Sequence, residues 1–250
     1  MITLTTTCNG SSLTIRLVLL LGCCIVSQWK HLVAEGFILQ LPPLGPTSTT
    51  CCSAIRIDGY DDAFRIIDDC AIKGETSNSL YDAVRVIDKN AIRIYPDEDH
   101  KQELWDTAHG SWKLQLATGG GKFTTFKPVP IFAFAMIDDD NFGNGVGINE
   151  DVILLSLLGP HIFNTKRRQM VITIDDMFLG SNQVTQFLPA FVKDGMGIGK
   201  RPEDFDKRPP AFTMIGASKH SLIARGGTGG IAIWTRLKDD IRPAAYGTKR

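Results

Sequence analysis

The chain lacks most of the features that announce a chemical function. Only six of its 250 residues are cysteine, and Cys70 is the last of them. Beyond that point there can be no disulfide and no thiolate metal site. The five histidines, His31, His100, His109, His161 and His220, stand without metal-ligand spacing. There is no Gly-x-Ser-x-Gly, no His-Glu-x-x-His, and no Lys-Ser/Thr pair behind the glycines at Gly119, Gly120 and Gly121, so nucleophilic, zinc and phosphate-transfer chemistry find no motif. The sequence reads as non-enzymatic. Neither sign of charge is in excess, with 27 basic against 27 acidic side chains, whereas nucleic-acid binders usually show a basic surplus. The apolar run at residues 17–26 falls short of the ~20 residues that span a bilayer.

The charge balance conceals three blocks. Residues 1–57 carry three basic side chains (Arg16, Lys30, Arg56) and one acid, Glu35; residues 58–108 carry six basic and thirteen acidic; residues 109–250 carry eighteen and thirteen. The first block, poor in acids and rich in Ser and Thr, with Arg16 ahead of its apolar run, reads as a signal segment followed by a transit-like stretch. This pattern suits a protein bound for a plastid, and places the start of the mature chain between Phe37 and Asp58. The second block, residues 58–109, reads as helical. Ala63, Ile66, Ile67 and Cys70 share one face, as do Leu80, Ala83, Val84 and Ile87 after Ser79 with Asp82 at capping-box spacing. A third helix runs from about Asp99 to His109 and stops at Gly110.

From Gly110 the period changes to two. Trp112, Leu114 and Leu116 fall on one face of a strand; Phe132, Phe134 and Met136 fall on one face of another, against small Ala133 and Ala135. Short runs at 145–148, 152–158, 169–174, 183–188, 211–215, 221–224 and 230–236 follow, divided by Gly, Pro, Asn and Asp. Many short alternating strands predict an antiparallel barrel over residues 110–247. The class is α+β, a short helical segment followed by the barrel. Residues 189–210 read as a long loop or lid with a short helix.

The barrel opens on Gly110-Ser111-Trp112 and closes on Arg225-Gly226-Gly227, Trp234 and Arg236. First and last strands of a closed barrel are neighbours, so an arginine of the last can cap the indole of the first; Arg225 and Arg236 are the candidates. The opening, Gly110 to Thr118, resembles the Gly-x-Trp-x-Leu-x-Tyr-Thr start of the plastid lipid-associated proteins, also called fibrillins or plastoglobulins. The stretch from Ser221 to Arg236 resembles that family's close. Leu116 stands where the family has an aromatic residue, and Ala217, Ser218 and Lys219 where it has an acid. The resemblance implies a lipocalin-like barrel that holds a lipid, carotenoid or isoprenoid quinone at a thylakoid or plastoglobule surface. The alternative is a structural or assembly subunit of a photosynthetic membrane complex. The expected interior contacts are Trp112, Leu114, Leu116, Phe132, Phe134, Met136 and Trp234, with Ile172, Ile174, Phe212 and Met214 behind them. Asp138, Asp139 and Asp140, and Asp175 with Asp176, read as solvated turns, and Lys166, Arg167 and Arg168 as a headgroup site or a dock for the acidic helices.

Overall fold

A computed structural model of the chain describes residues 59–119, 125–206 and 208–238. The leader at 1–57, the glycines at Gly120 and Gly121 and the last residues of the expected barrel lie outside them. Four helices come first: α1 (Tyr60–Lys73), α2 (Leu80–Lys89), the short α3 (Ala91–Ile94) and α4 (Glu98–Ala108). Left-handed Gly74 ends α1, its N–H donating to the Ala71 carbonyl. The capping box expected at Ser79 does not form, since the Ser79 side chain makes no cap hydrogen bond. The side-chain cap is at α4, where Asp97 accepts from the His100 N–H at 3.0 Å.

The strands are β1 (Gly110–Ala117), β2 (Lys127–Pro128), β3 (Phe132–Ile137), β4 (Asn141–Gly147), β5 (Ile153–Asn164), β6 (Gln169–Ile172), β7 (Asp176–Leu179), β8 (Asn182–Gln183), β9 (Ala211–Ala217), β10 (Ser221–Gly226) and β11 (Ile231–Arg236). A fifth helix, α5 (Ala190–Met196), lies between β8 and β9. Eight of the strands close a ring of antiparallel pairs, in the order β1-β3-β4-β5-β6-β9-β10-β11 and back to β1. Strand was expected throughout 183–188, but that stretch is the end of β8 followed by the 3-10 turn Thr185–Phe187.

Which face is the interior follows from one pair of rings. Phe142 on β4 and Phe212 on β9 have centroids 6.2 Å apart, although β5 and β6 stand between them in the wall. Three strand spacings are about 14 Å, so the rings meet across the barrel. Pairing registers carry that orientation around the wall. Trp112, Leu114, Ala135, Ile137, Leu155, Leu157, Met170, Ile172, Met214, Leu222 and Trp234 point inward.

The opposite face of β9, β10, β11 and the far end of β1 lies under α1 and α2. Ile215, Ile223, Ile231, Ile233 and Leu116 pack there against Ala63, Ile67, Cys70, Leu80, Val84 and Ile87. Side chains tie the two layers together. Thr235 donates to the Ala71 carbonyl at 2.7 Å, Ser218 and Ser221 donate to Asp68, and Arg225 pairs with Asp88 at 2.6 Å. The acidic helices are thus docked on the barrel, in part by their own carboxylates.

Candidate functional site

The base of the barrel, where β1 begins, is plugged. Helix α4 inserts Leu104, Trp105 and Ala108 among Trp112, Ile137, Phe142 and Met170. Trp105 stacks on Phe163 at 4.4 Å and takes His109 and His161 edge-on at 4.9 and 5.0 Å. His161 Nε2 lies 2.8 Å from the Asp138 carbonyl, so that nitrogen holds the proton and donates it.

Trp112 donates its indole N–H to the Ala108 carbonyl at 2.8 Å, and the Arg236 guanidinium lies over its ring at 4.0 Å. Arg236 also donates to the carbonyls of Thr107 and His109, capping the last turn of α4 with a cation. Gly110 completes the arrangement. Its φ is +121°, and a Cβ there would sit 2.6 Å from Arg236 Nη1. The spacing Gly-x-Trp with a distant Arg is therefore a single device that seals one end.

Arg225 has a different role from the one expected: it faces the outer layer and pairs with Asp88, so Arg236 alone caps the indole. Of the basic cluster, Arg168 is half-buried on a left-handed backbone (φ 50°), donates to the Met214 carbonyl and lies 5.9 Å from the Tyr95 ring. Burial pushes the Tyr95 phenol up in pKa, while the Ala217 N–H and the Arg168 cation act the other way. A cleft of about 410 Å³ opens on the outer side of the plug, lined by His109, Gly110, Met136, Ile137, Asp138, Asp139 and Arg236.

The wall at the other end is incomplete. β6 pairs with β9 only over Gln169–Val171, while β5 continues toward the mouth beside β7. The excursion between β6 and β9 fills the opening. Ile198, Met196, Leu188 and Val184 pack with Met177 against the inward Leu155 and Leu157. A parallel bridge joins Ile198 to Ile174, and the Gly199 N–H donates to the Ile174 carbonyl at 2.7 Å. Left-handed Gly197 and Gly199 flank the inserted isoleucine, a turn at each side that other residues adopt at a cost.

Of the seven expected interior residues, Trp112, Leu114 and Trp234 face inward. Leu116 does not. A bulge between Leu114 and Leu116 shifts the register with β11, so Leu116 pairs with Ile233 on the outer face under the helices. Phe132, Phe134 and Met136 also face outward, because Phe134 sits opposite outward Lys113 while Ala135 sits opposite inward Trp112. Each lies across from a glycine of β4: Gly147, Gly145 and Gly143. A Cβ at Gly145 would come within 2.6 Å of the Phe134 ring, so the large side chains of β3 rest on a strand kept bare for them.

Sequence reasoning passed over Phe142, Leu155, Leu157 and Asn144. Asn144 stands opposite Ala135 and Leu157, hence inward, and its amide makes no hydrogen bond to a described residue. Inward Asn144, Val146, Phe212 and Trp234 are only half-buried, whereas Ile223 and Ile233 beneath the helices are fully buried.

An up-and-down ring of eight antiparallel strands, sealed at one end by a helix and a Trp–Arg pair, decides the architecture. The fold is lipocalin-like. Among solved structures, a lipocalin-like protein from Bacteroides uniformis is similar at 16% identity over 52% of this chain and 99% of that one, with a TM-score of 0.34. An uncharacterized protein from Bacteroides eggerthii is similar at 12% identity over 52% and 98%, also with a TM-score of 0.34. No protein-family model and no curated protein matches the chain. Among the described residues of this lipocalin-like chain, no three His, Cys, Asp or Glu side chains are placed to hold a metal ion. The two aspartate clusters serve their turns: Asp138 accepts from the N–H groups of Asp140 and Asn141, Asp175 pairs with Arg201, and Asp176 accepts from Gln183.

Proposed function

We propose that the barrel is a non-enzymatic binding module for a small hydrophobic molecule, taken up at its mouth. The observation that carries this reading is an apolar interior that its own side chains do not fully cover. Phe212 and Trp234, packed on the inner edge of the base plug, and Val146, beside the cluster under the excursion, keep accessible surface although all three point inward. Mostly apolar walls with few polar groups are the usual setting for such a ligand. The resemblance of the segments 110–118 and 221–236 to the plastid lipid-associated proteins supports a finer version. In it the ligand is a lipid, carotenoid or isoprenoid quinone, bound by a protein of a thylakoid or plastoglobule surface.

The test is a titration of the full chain with a fluorescent apolar probe. Saturable binding that weakens when Val146→Trp fills the inner wall supports the proposal; absence of saturable binding by the unaltered chain overturns it.

A structural or assembly role on a membrane complex is the second reading. Phe187 and Phe191 on the excursion are 76% and 73% exposed, and Ile148 at the neighbouring β4–β5 turn is 70% exposed. Apolar residues at loop tips around one end suit contact with a lipid surface or a partner subunit. Replacing both phenylalanines by serine should abolish membrane association while leaving probe binding intact, if that contact exists.

A further inference from the structure

The inward face has one neutral polar side chain whose position the fold does not explain. Asn144 sits at the middle of β4 between two glycines whose absent side chains would point the other way. Its neighbours across the wall are Ala135 and Leu157, both apolar and buried. His161, the ring that shares the inward face of β5, is already bonded to the Asp138 carbonyl and packed against Trp105. Asn144 has neither kind of engagement: it is half-buried, and its amide makes no hydrogen bond to a described residue. On the outward face the buried Ser111 and Ser156 hydroxyls also lack a hydrogen-bond partner, whereas the asparagines of the neighbouring turns have a place in them. Asn141 lies in the turn that Asp138 holds, Asn149 accepts from the Asp151 and Val152 N–H groups, and Asn164 caps the turn before β6. Packing does not require an amide at 144 either, since Val146, two positions on along the same face, is apolar.

Resting on the reading of the barrel as a binding module, we infer that Asn144 is the specificity-determining contact of the interior. The ligand class is then an apolar chain or ring system bearing one neutral hydrogen-bonding group, a carbonyl or a hydroxyl. A carboxamide offers a donor N–H₂ and an acceptor oxygen, so it serves either group, and it carries no charge that would have to be desolvated beside Leu157. A site built around such a group discriminates against the analogue without it, because its amide is left unpaired when the ligand offers nothing.

The experiment displaces a bound fluorescent probe, 1-aminoanthracene, from the full chain with decanol, 2-decanone and decane, each corrected for its own transfer from water. The unaltered chain is expected to prefer decanol and 2-decanone over decane by about three- to tenfold, the range of a single net hydrogen bond. Asn144→Leu should erase that preference while decane still displaces the probe. Equal displacement by all three compounds in the unaltered chain, or a preference that survives Asn144→Leu, overturns the inference and leaves the binding module standing. Failure of the probe to bind the unaltered chain defeats the binding module itself, and this inference with it.

Discussion

At the scale of single residues, the base plug concentrates the consequences of substitution. Trp112 is fully buried, bonded to α4 and covered by Arg236. Trp112→Ala should cost roughly 3–5 kcal/mol, the range for deleting a large buried aromatic. Arg236→Ala should cost on the order of 2 kcal/mol, since it removes charge-assisted bonds to two helix-end carbonyls as well as the ring contact. Chemical denaturation of the two variants measures both. Phe134→Trp tests the corrected orientation of β3. With Phe134 facing outward onto Gly145, the larger ring should destabilise by about 1–3 kcal/mol through overpacking and leave probe binding unchanged. The inward Val146→Trp should do the reverse, and paired titrations and melts separate the two. The sequence showed Trp112, Leu114 and Trp234 correctly because alternation holds from Trp112 to Leu114 and along β11. It could not show Leu116, since a bulge has no side-chain signature here. On β3 every residue is buried, so size alternation was the one cue, and it pointed the wrong way. The large residues follow the glycines of β4 rather than the interior.

At the scale of elements, helix positions were legible from apolar spacing, because α1 and α2 each bury one stripe on one surface. The β4 strand was harder to recognise: with Gly at 143, 145 and 147 it has little side-chain pattern, and it hides Phe142 and Asn144 among residues that resemble a loop. Local electrostatics at α4 give a pH signature. Hydrogen bonds from the His100 backbone and ring hold the Asp97 carboxyl below its usual pKa, and Asp97 in turn holds His100 above its own. The Asp97 contribution is present above the unfolded carboxylate pKa and fades as pH falls through the folded value. The His100 contribution is complete below the unfolded imidazole pKa and is lost as pH rises through the folded one. Both therefore act together between about pH 4 and 6.5. In an NMR titration His100 should titrate above the ordinary imidazole value, and Asp97→Asn should bring it down.

At the scale of the whole molecule, one end is fixed and the other is held by few bonds. Over Leu155 and Leu157 the excursion packs Ile198 with Met196, Leu188 and Val184, and the segment around Ile198 is joined to the wall by a single parallel bridge and one backbone hydrogen bond to Ile174. The Arg201–Asp175 pair beside it is exposed and adds little, since surface ion pairs contribute about 0–1 kcal/mol. Ile198→Ala should therefore release a bound probe several-fold faster in stopped-flow dilution. An unchanged release rate would place the exit elsewhere. The excursion was readable as a lid from its length and glycines, but the residue that plugs the opening was not. Ile198 becomes distinctive only once the wall is seen to part above Val171 and Ala211.

The junction of β1 with β11 also governs the order of assembly. Trp112 pairs with Arg236, and α1 is bonded to Thr235 across 164 positions of sequence. Contacts so distant along the chain form slowly, because the loop between them must close before they contribute any stability. The outer helices and the opening strand precede the rest of the barrel in the chain, yet their partners are among the last described residues. Closure is thus a late, whole-chain event. Until it occurs, the isoleucine-binding stripe of α1 and α2 stays uncovered, the kind of apolar surface that makes a folding intermediate prone to aggregate.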